Sequence, residues 1–126
     1  MLVVDDYPSV LRWVCRLFEK SGWHVDTALS ADEAVIAWGA AEKQGRHLDL
    51  LVTDLIMPEM DGRSLAHLLR ERLPLLPVIA ITGSDDELSR WVHEPLRNAE
   101  LLMKPVLSDT LLAVADRLTR PAPATS

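Results

Sequence analysis

The sequence predicts an α/β domain with a parallel sheet covered on both faces, and three observations carry that prediction. Short apolar runs alternate five times with longer stretches of helical period, the order expected of consecutive βαβ units. The central run, Leu50-Leu51-Val52, is apolar at successive positions, so both of its faces need covering, unlike a strand of a half-solvated sheet. Four of the five runs lead into polar residues, namely Asp5-Asp6, Asp54, Thr82 and Lys104.

The first strand is Leu2-Val3-Val4. Pro8 then opens a helix in which Val10, Leu11, Val14, Leu17 and Phe18 recur at intervals of three and four, and Gly22 ends it. Proline suits a first turn because its missing N–H would have had no helical partner there. Cys15 falls within this apolar pattern and is expected as a small core residue. The second strand runs from Val25 to Ala28. Ser30 followed by Glu33 is a capping-box signature for the second helix, whose inward face carries Ala34, Val35, Trp38 and Ala41. After the third strand, Asp61-Gly62 introduces a helix with Leu65, Leu68 and Leu69 turned inward.

The fourth strand, Val78 to Ile81, lies between Pro77 and Gly83, and Ser84 with Glu87 repeats the capping signature. Pro95 removes a ladder bond and biases Glu94 away from helical angles, so the fourth helix is expected to kink or stop near His93. Leu101-Leu102-Met103 forms the fifth strand, and Leu111, Leu112, Ala115 and Leu118 mark the inward face of the last helix.

With 126 residues the chain fits one domain, assigned to 1–120, with the Pro/Ala-rich 121–126 read as a disordered tail or linker stub. A net charge of −6 opposes the broad attraction to phosphate backbones that nucleic-acid binding requires, so no direct nucleic-acid partner is expected. No apolar run approaches the length of a membrane span, and the acidic residues after Val4 leave no secretory segment, which predicts a cytoplasmic protein without a membrane partner. The single cysteine excludes an internal disulfide. His24, His47, His67 and His93 lack ligand spacing, which leaves a zinc site or a histidine-dependent hydrolase without support. Trp13, Trp23, Trp38 and Trp91 fall on separate elements and read as packing residues, with Trp91 on a helix expected to face partners.

In a parallel open sheet the polar strand ends share one edge, and ligands bind in the crevice beyond the carboxyl ends of the strands. Clustered there, Asp5, Asp6 and Asp54 would repel one another unless a cation neutralised them. Oxygen donors without His or Cys suit Mg²⁺, with Asp6 and Asp54 as direct ligands and Asp5 acting through water. A carboxylate, a divalent metal, a lysine and a hydroxyl are the parts that phosphoryl transfer uses. In that reading Asp54 attacks phosphorus, the metal and Lys104 neutralise the phosphoryl oxygens, and Thr82 donates a hydrogen bond to one of them. Singly, each of these residues has an ordinary alternative role as a helix cap, a strand end or a solvated charge. Their joint occurrence at successive strand ends is what favours chemistry.

The segments VVDDYP, VTDLIMPEMDG, ITGS and LLMKP resemble the four motifs of response-regulator receiver domains, and the resemblance spans essentially the whole chain. Asp5, Asp6, Asp54, Met57, Pro58, Asp61, Gly62, Thr82, Lys104 and Pro105 match that pattern. The resemblance implies a flavodoxin-like, doubly wound five-stranded sheet of order 2-1-3-4-5. It also implies Mg²⁺ as the metal, with the Ile56 backbone carbonyl as a further ligand, and a cis peptide between Lys104 and Pro105. The implied phosphodonor is a sensor histidine kinase or a His-containing phosphotransfer protein. Such a protein catalyses only its own phosphorylation and dephosphorylation, and homodimerisation through the fourth helix, fifth strand and fifth helix is left open.

The chain departs from the family pattern at Leu101, where a switching aromatic ring is usual, and at Val106, where Phe is common. Ile56 and Ser84, beside the expected site, offer no base for water, which favours slow self-hydrolysis of an acyl phosphate. Two other readings compete. A metal-dependent phosphatase with an aspartate nucleophile would need a second acid two residues after Asp54, and Ile56 stands there. A receiver-like interaction module that is never phosphorylated would not need the intact set of acids, hydroxyl and lysine.

Overall fold

The computed structural model describes residues 1–120, so the tail expected at 121–126 lies outside the described residues. Strands and helices alternate as β1 (Leu2–Val4), α1 (Pro8–Lys20), β2 (Asp26–Ala28), α2 (Ala31–Lys43) and β3 (Leu51–Asp54), followed by α3 (Gly62–Arg70), β4 (Val78–Thr82), α4 (Asp85–His93), β5 (Ala99–Met103) and α5 (Ser108–Thr119). The strands form one parallel sheet in the order β2-β1-β3-β4-β5. This is the flavodoxin-like arrangement, with strand order reversing between β1 and β3.

Alternate residues of the strands point to opposite faces. Val3, Val52, Ile79 and Ile81 meet Val14 and Phe18 of α1 and Leu111 and Val114 of α5 on one face. Leu2, Val4, Leu51 and Val78 meet Ala31 and Ala34 of α2 and Leu65 and Leu69 of α3 on the other. Burying each of the larger side chains contributes about 1.5–3 kcal/mol, which is why the unbroken apolar runs commit to a sheet covered on both sides.

Local signals set the helix starts. Ser30 accepts a hydrogen bond from the Glu33 N–H at 3.2 Å, while the Glu33 carboxylate accepts the Leu29 N–H at 2.8 Å. Ser84 likewise caps α4 through the Glu87 N–H, and Asp61 caps α3 through the Ser64 N–H. Helix α4 stops at His93 as Pro95 requires, with Glu94 already out of helical angles. Strand β3 extends to Asp54, two residues further than the apolar run, because Thr53 and Asp54 keep register with Ala80 and Ile81. Strand β5 starts at Ala99, two residues earlier than expected, through pairing with Val78 and Ile79.

Three side chains differ from expectation. Leu68 is exposed, because the inward face of α3 is made by Leu65, Ala66 and Leu69, and adjacent leucines on a helix point about 100° apart. Cys15 is half-buried at the edge of α1 rather than in the core, with its thiol 3.2 Å from the Glu19 carboxylate. Burial and that carboxylate push the thiol above its ordinary pKa. Trp91 does not present itself to partners: it is buried against Leu55 and Ala80, with Leu96 and Leu101 alongside.

Candidate functional site

Parallel strands place their carboxyl ends on one edge of the sheet, and there the predicted residues converge. Asp5 follows β1 and is almost fully buried. Its backbone N–H donates to the Ala28 carbonyl at 3.2 Å, and its Oδ1 accepts the Tyr7 N–H at 2.9 Å. Asp54 ends β3 and is 5 % exposed, with Oδ1 accepting the Ile56 N–H at 3.1 Å and Oδ2 accepting from Lys104 Nζ at 3.0 Å. Lys104 Nζ also lies 3.8 Å from Asp5 Oδ2. Carboxylate oxygens of Asp5, Asp6 and Asp54 all fall within 4.8 Å of one another.

Thr82 ends β4 fully buried, and its hydroxyl oxygen accepts the Ser84 N–H at 3.1 Å. The Lys104 N–H donates to the Thr82 carbonyl at 2.8 Å, tying the two strand ends together. Asp6, Tyr7, Asp54, Ile56, Met57, Pro58, Thr82, Gly83, Ser84 and Lys104 border an open crevice of about 630 Å³. The Lys104–Pro105 peptide is cis.

The charges respond to this crowding. Burial, with added repulsion from Asp54 and Asp6, raises the Asp5 carboxyl above its usual range, while the Tyr7 N–H and Lys104 work in the other direction. Burial pulls the Lys104 ammonium down, but the Asp54 hydrogen bond and the charges of Asp54, Asp5 and Asp6 outweigh it, so its pKa is raised. Asp6 Oδ1 is buried without a hydrogen-bond partner. A buried, unpartnered carboxylate oxygen beside two other carboxylates fits a hard divalent cation, because the ammonium alone leaves this acidic set uncompensated.

Gly62, at the start of α3, is held against the acceptor strand. Its N–H donates to the Leu55 carbonyl at 3.0 Å, and a Cβ on it would stand 2.1 Å from the Asp54 carbonyl oxygen and 2.9 Å from Thr53 Oγ1. Any side chain there would drive α3 away from Asp54. Between them, Glu59 adopts φ +72° as the chain turns from Pro58 towards Asp61. Leu101 lies on β5 opposite Ala80, beside Trp91 and away from the acidic cluster. Two neighbours of the site were given no role from the sequence. Tyr7 places its ring centroid 5.6 Å from Lys104 Nζ, and Arg63 crosses from α3 to α4. Their single letters carry no pattern, although Tyr7 stands between the acid pair and Pro8, where the chain must pass the crevice.

A five-stranded parallel sheet with acids, a hydroxyl and an ammonium gathered at its switch-point edge defines the class of open α/β domains that bind a ligand beyond the strand ends. The match to the response regulator receiver domain covers residues 1–116, and the chain belongs to that family, whose members serve two-component signalling. It is 33% identical over 108 residues to the response regulator receiver protein CpdR of Brucella abortus, covering 83% of each. It is 35% identical over 85 residues to the probable transcriptional regulatory protein TcrX of Mycobacterium tuberculosis, covering 68% of this chain but 34% of that protein's length. A crystal structure of a response regulator receiver domain protein from Clostridium thermocellum superposes with a TM-score of 0.79 at 28% identity, over 94% of this chain and 91% of that one. Among the described residues no helix is long and apolar enough to cross a membrane.

Proposed function

We propose that this domain accepts a phosphoryl group on Asp54 from a histidine kinase or a His-containing phosphotransfer protein, with Mg²⁺ held by Asp6 and Asp54, Asp5 acting through water, and the Ile56 carbonyl as a further ligand. The observation that carries the reading is the placement of one nearly buried carboxylate, Asp54, at the meeting point of two acids, a buried hydroxyl and an ammonium. When bound, the cation supplies charge neutralisation for the acidic cluster and the phosphoryl oxygens.

An Asp54 carboxylate oxygen attacks the phosphorus as the bond from phosphorus to the donor nitrogen breaks, and the imidazole leaves with that electron pair. The Ile56 N–H on Oδ1 fixes the carboxylate plane for this attack. Lys104 begins on Oδ2 and transfers its hydrogen bond to a phosphoryl oxygen, since an acylated oxygen is the poorer acceptor. Thr82 already receives the Ser84 N–H on its hydroxyl oxygen, so its own proton is free to be donated to the incoming group.

Incubating the protein with acetyl phosphate and Mg²⁺ and measuring intact mass tests the reading. The expected result is a gain of about 80 Da, one phosphoryl group, which is absent in Asp54→Ala. An unchanged wild-type mass would overturn it in favour of an unphosphorylated interaction module.

A further inference from the structure

We propose that Tyr7 is a positioning residue for Lys104, holding the ammonium over the crevice with the face of its ring. The inference rests on the acceptor reading above and assigns a side chain that reading leaves without a task. Tyr7 occupies the position before α1, yet its side chain makes no capping hydrogen bond. It is 60 % exposed and adds little to the core. Its backbone, by contrast, is fixed on both sides. The Tyr7 N–H is bonded to Asp5 at 2.9 Å, and Pro8 follows as the first helical residue. The ring is therefore presented at a set place on the rim, 5.6 Å from Lys104 Nζ, inside the range in which an aromatic face attracts a cation.

The chemistry gives this contact a use. A lysine head on a flexible four-carbon stem loses its hydrogen-bond partner when Asp54 Oδ2, at 3.0 Å, becomes part of an acyl phosphate, and the Asp5 carboxylate that remains stands at 3.8 Å, beyond hydrogen-bond distance. A further acceptor within hydrogen-bond distance would keep the ammonium back from the phosphoryl oxygens. A ring face attracts it without taking up an N–H in a fixed direction, so the head can shift towards the phosphate and stay off the solvent side. The face does this work, and the phenol hydroxyl is not required.

The test compares Tyr7→Phe and Tyr7→Ala, each also in a Lys104→Ala background, by following phosphorylation with acetyl phosphate and Mg²⁺ as intact mass against time. Tyr7→Phe is expected to stay within about twofold of wild type and Tyr7→Ala to slow the reaction about fivefold, the size of one partly exposed cation–π contact. In the Lys104→Ala background, Tyr7→Ala is expected to change nothing further. A Phe variant as slow as Ala, or an equal Tyr7→Ala effect without the lysine, overturns the proposal.

A second arm needs neither metal nor phosphodonor. In proton NMR the Lys104 ε-methylene should be displaced by the ring current in the wild type and in Tyr7→Phe, and return towards its free position in Tyr7→Ala. Unmoved ε-protons in Tyr7→Ala would show that the contact does not exist. Wild-type protein that takes no phosphoryl group, with the ring-current shift intact, sinks the acceptor reading and with it any role for Tyr7 in the reaction. The two failures are thus distinguishable.

Discussion

The Arg63 guanidinium lies over the ring of Trp91, 5.3 Å from its centroid, and its Nη1 donates to the Glu94 carbonyl at 2.6 Å. Arg63 is 6 % exposed, and its Nε and Nη2 are buried without partners. One side chain from the first turn of α3 thus satisfies a terminal carbonyl of α4 where Pro95 ends the helix. Arg63→Ala removes the stack and the carbonyl's donor. It should cost about 2 kcal/mol, on the order of 6 °C in Tm, and speed amide exchange around Arg90 to Glu94. Arg63→Met keeps the volume and removes a poorly compensated buried charge, so its loss should be less than half as large. Thermal denaturation with hydrogen exchange checks both, and equal losses would mean that the hydrogen bond and the stacked charge, not packing, carry the whole effect.

Asp5 should make the metal-free fold less stable as pH rises. Its folded-state pKa is raised, chiefly by burial, so the folded state binds its proton more tightly than the unfolded chain. Stability is therefore lost as pH climbs from the ordinary carboxylate pKa of about 4 through the raised value, and then levels. Asp5→Asn keeps an acceptor for the Tyr7 N–H and escapes that loss. In the presence of a chelator its Tm should exceed wild type at neutral pH, and the advantage should shrink towards zero below about pH 4.

Mg²⁺ should act in the opposite sense. A cation that binds only the folded acidic set stabilises by about 1.4 kcal/mol at ten times its dissociation constant. Asp6→Ala, which deletes the unpartnered oxygen, should abolish most of the Mg²⁺-dependent rise in Tm. A rise of undiminished size in Asp6→Ala would place the cation elsewhere.

Gly62→Ala should be severe. The added Cβ meets the Asp54 backbone oxygen at 2.1 Å, which no rotamer relieves, so α3 or β3 has to move. A loss of about 3 kcal/mol is expected from denaturant unfolding, the upper range for overpacking, together with slower phosphorylation of Asp54.

Once formed, the acyl phosphate should persist. Ile56 is 54 % exposed beside Asp54, and Ser84 carries its hydroxyl as the α4 cap, so neither supplies a base for water. Mass measured over time after donor removal should give a half-life of minutes or longer, and decay within seconds would contradict this.

The strand ends were legible because chemistry and topology coincide there: a polar residue after each of four apolar runs has few other reasons to recur in a parallel sheet. Paired signals such as Ser30 with Glu33 also read through, since the hydrogen bond spans a fixed local distance. What periodicity leaves open is which of two adjacent apolar residues turns inward. Leu68 and Leu69 differ only by their angle on α3. Trp91 turns inward onto Leu55 and Ala80, with Leu101 beside it, a contact between elements that the periodicity of one helix does not encode. Arg63 and Tyr7 eluded the sequence for the same reason, because each acts through a partner on a different element.

Fifty residues separate Asp54 from Lys104, and a similar stretch separates Asp54 from Asp5. No fragment that lacks either β1 or β5 therefore holds the pocket. The crevice is thus a property of the folded sheet as a whole, and loosening either outer crossing takes it apart.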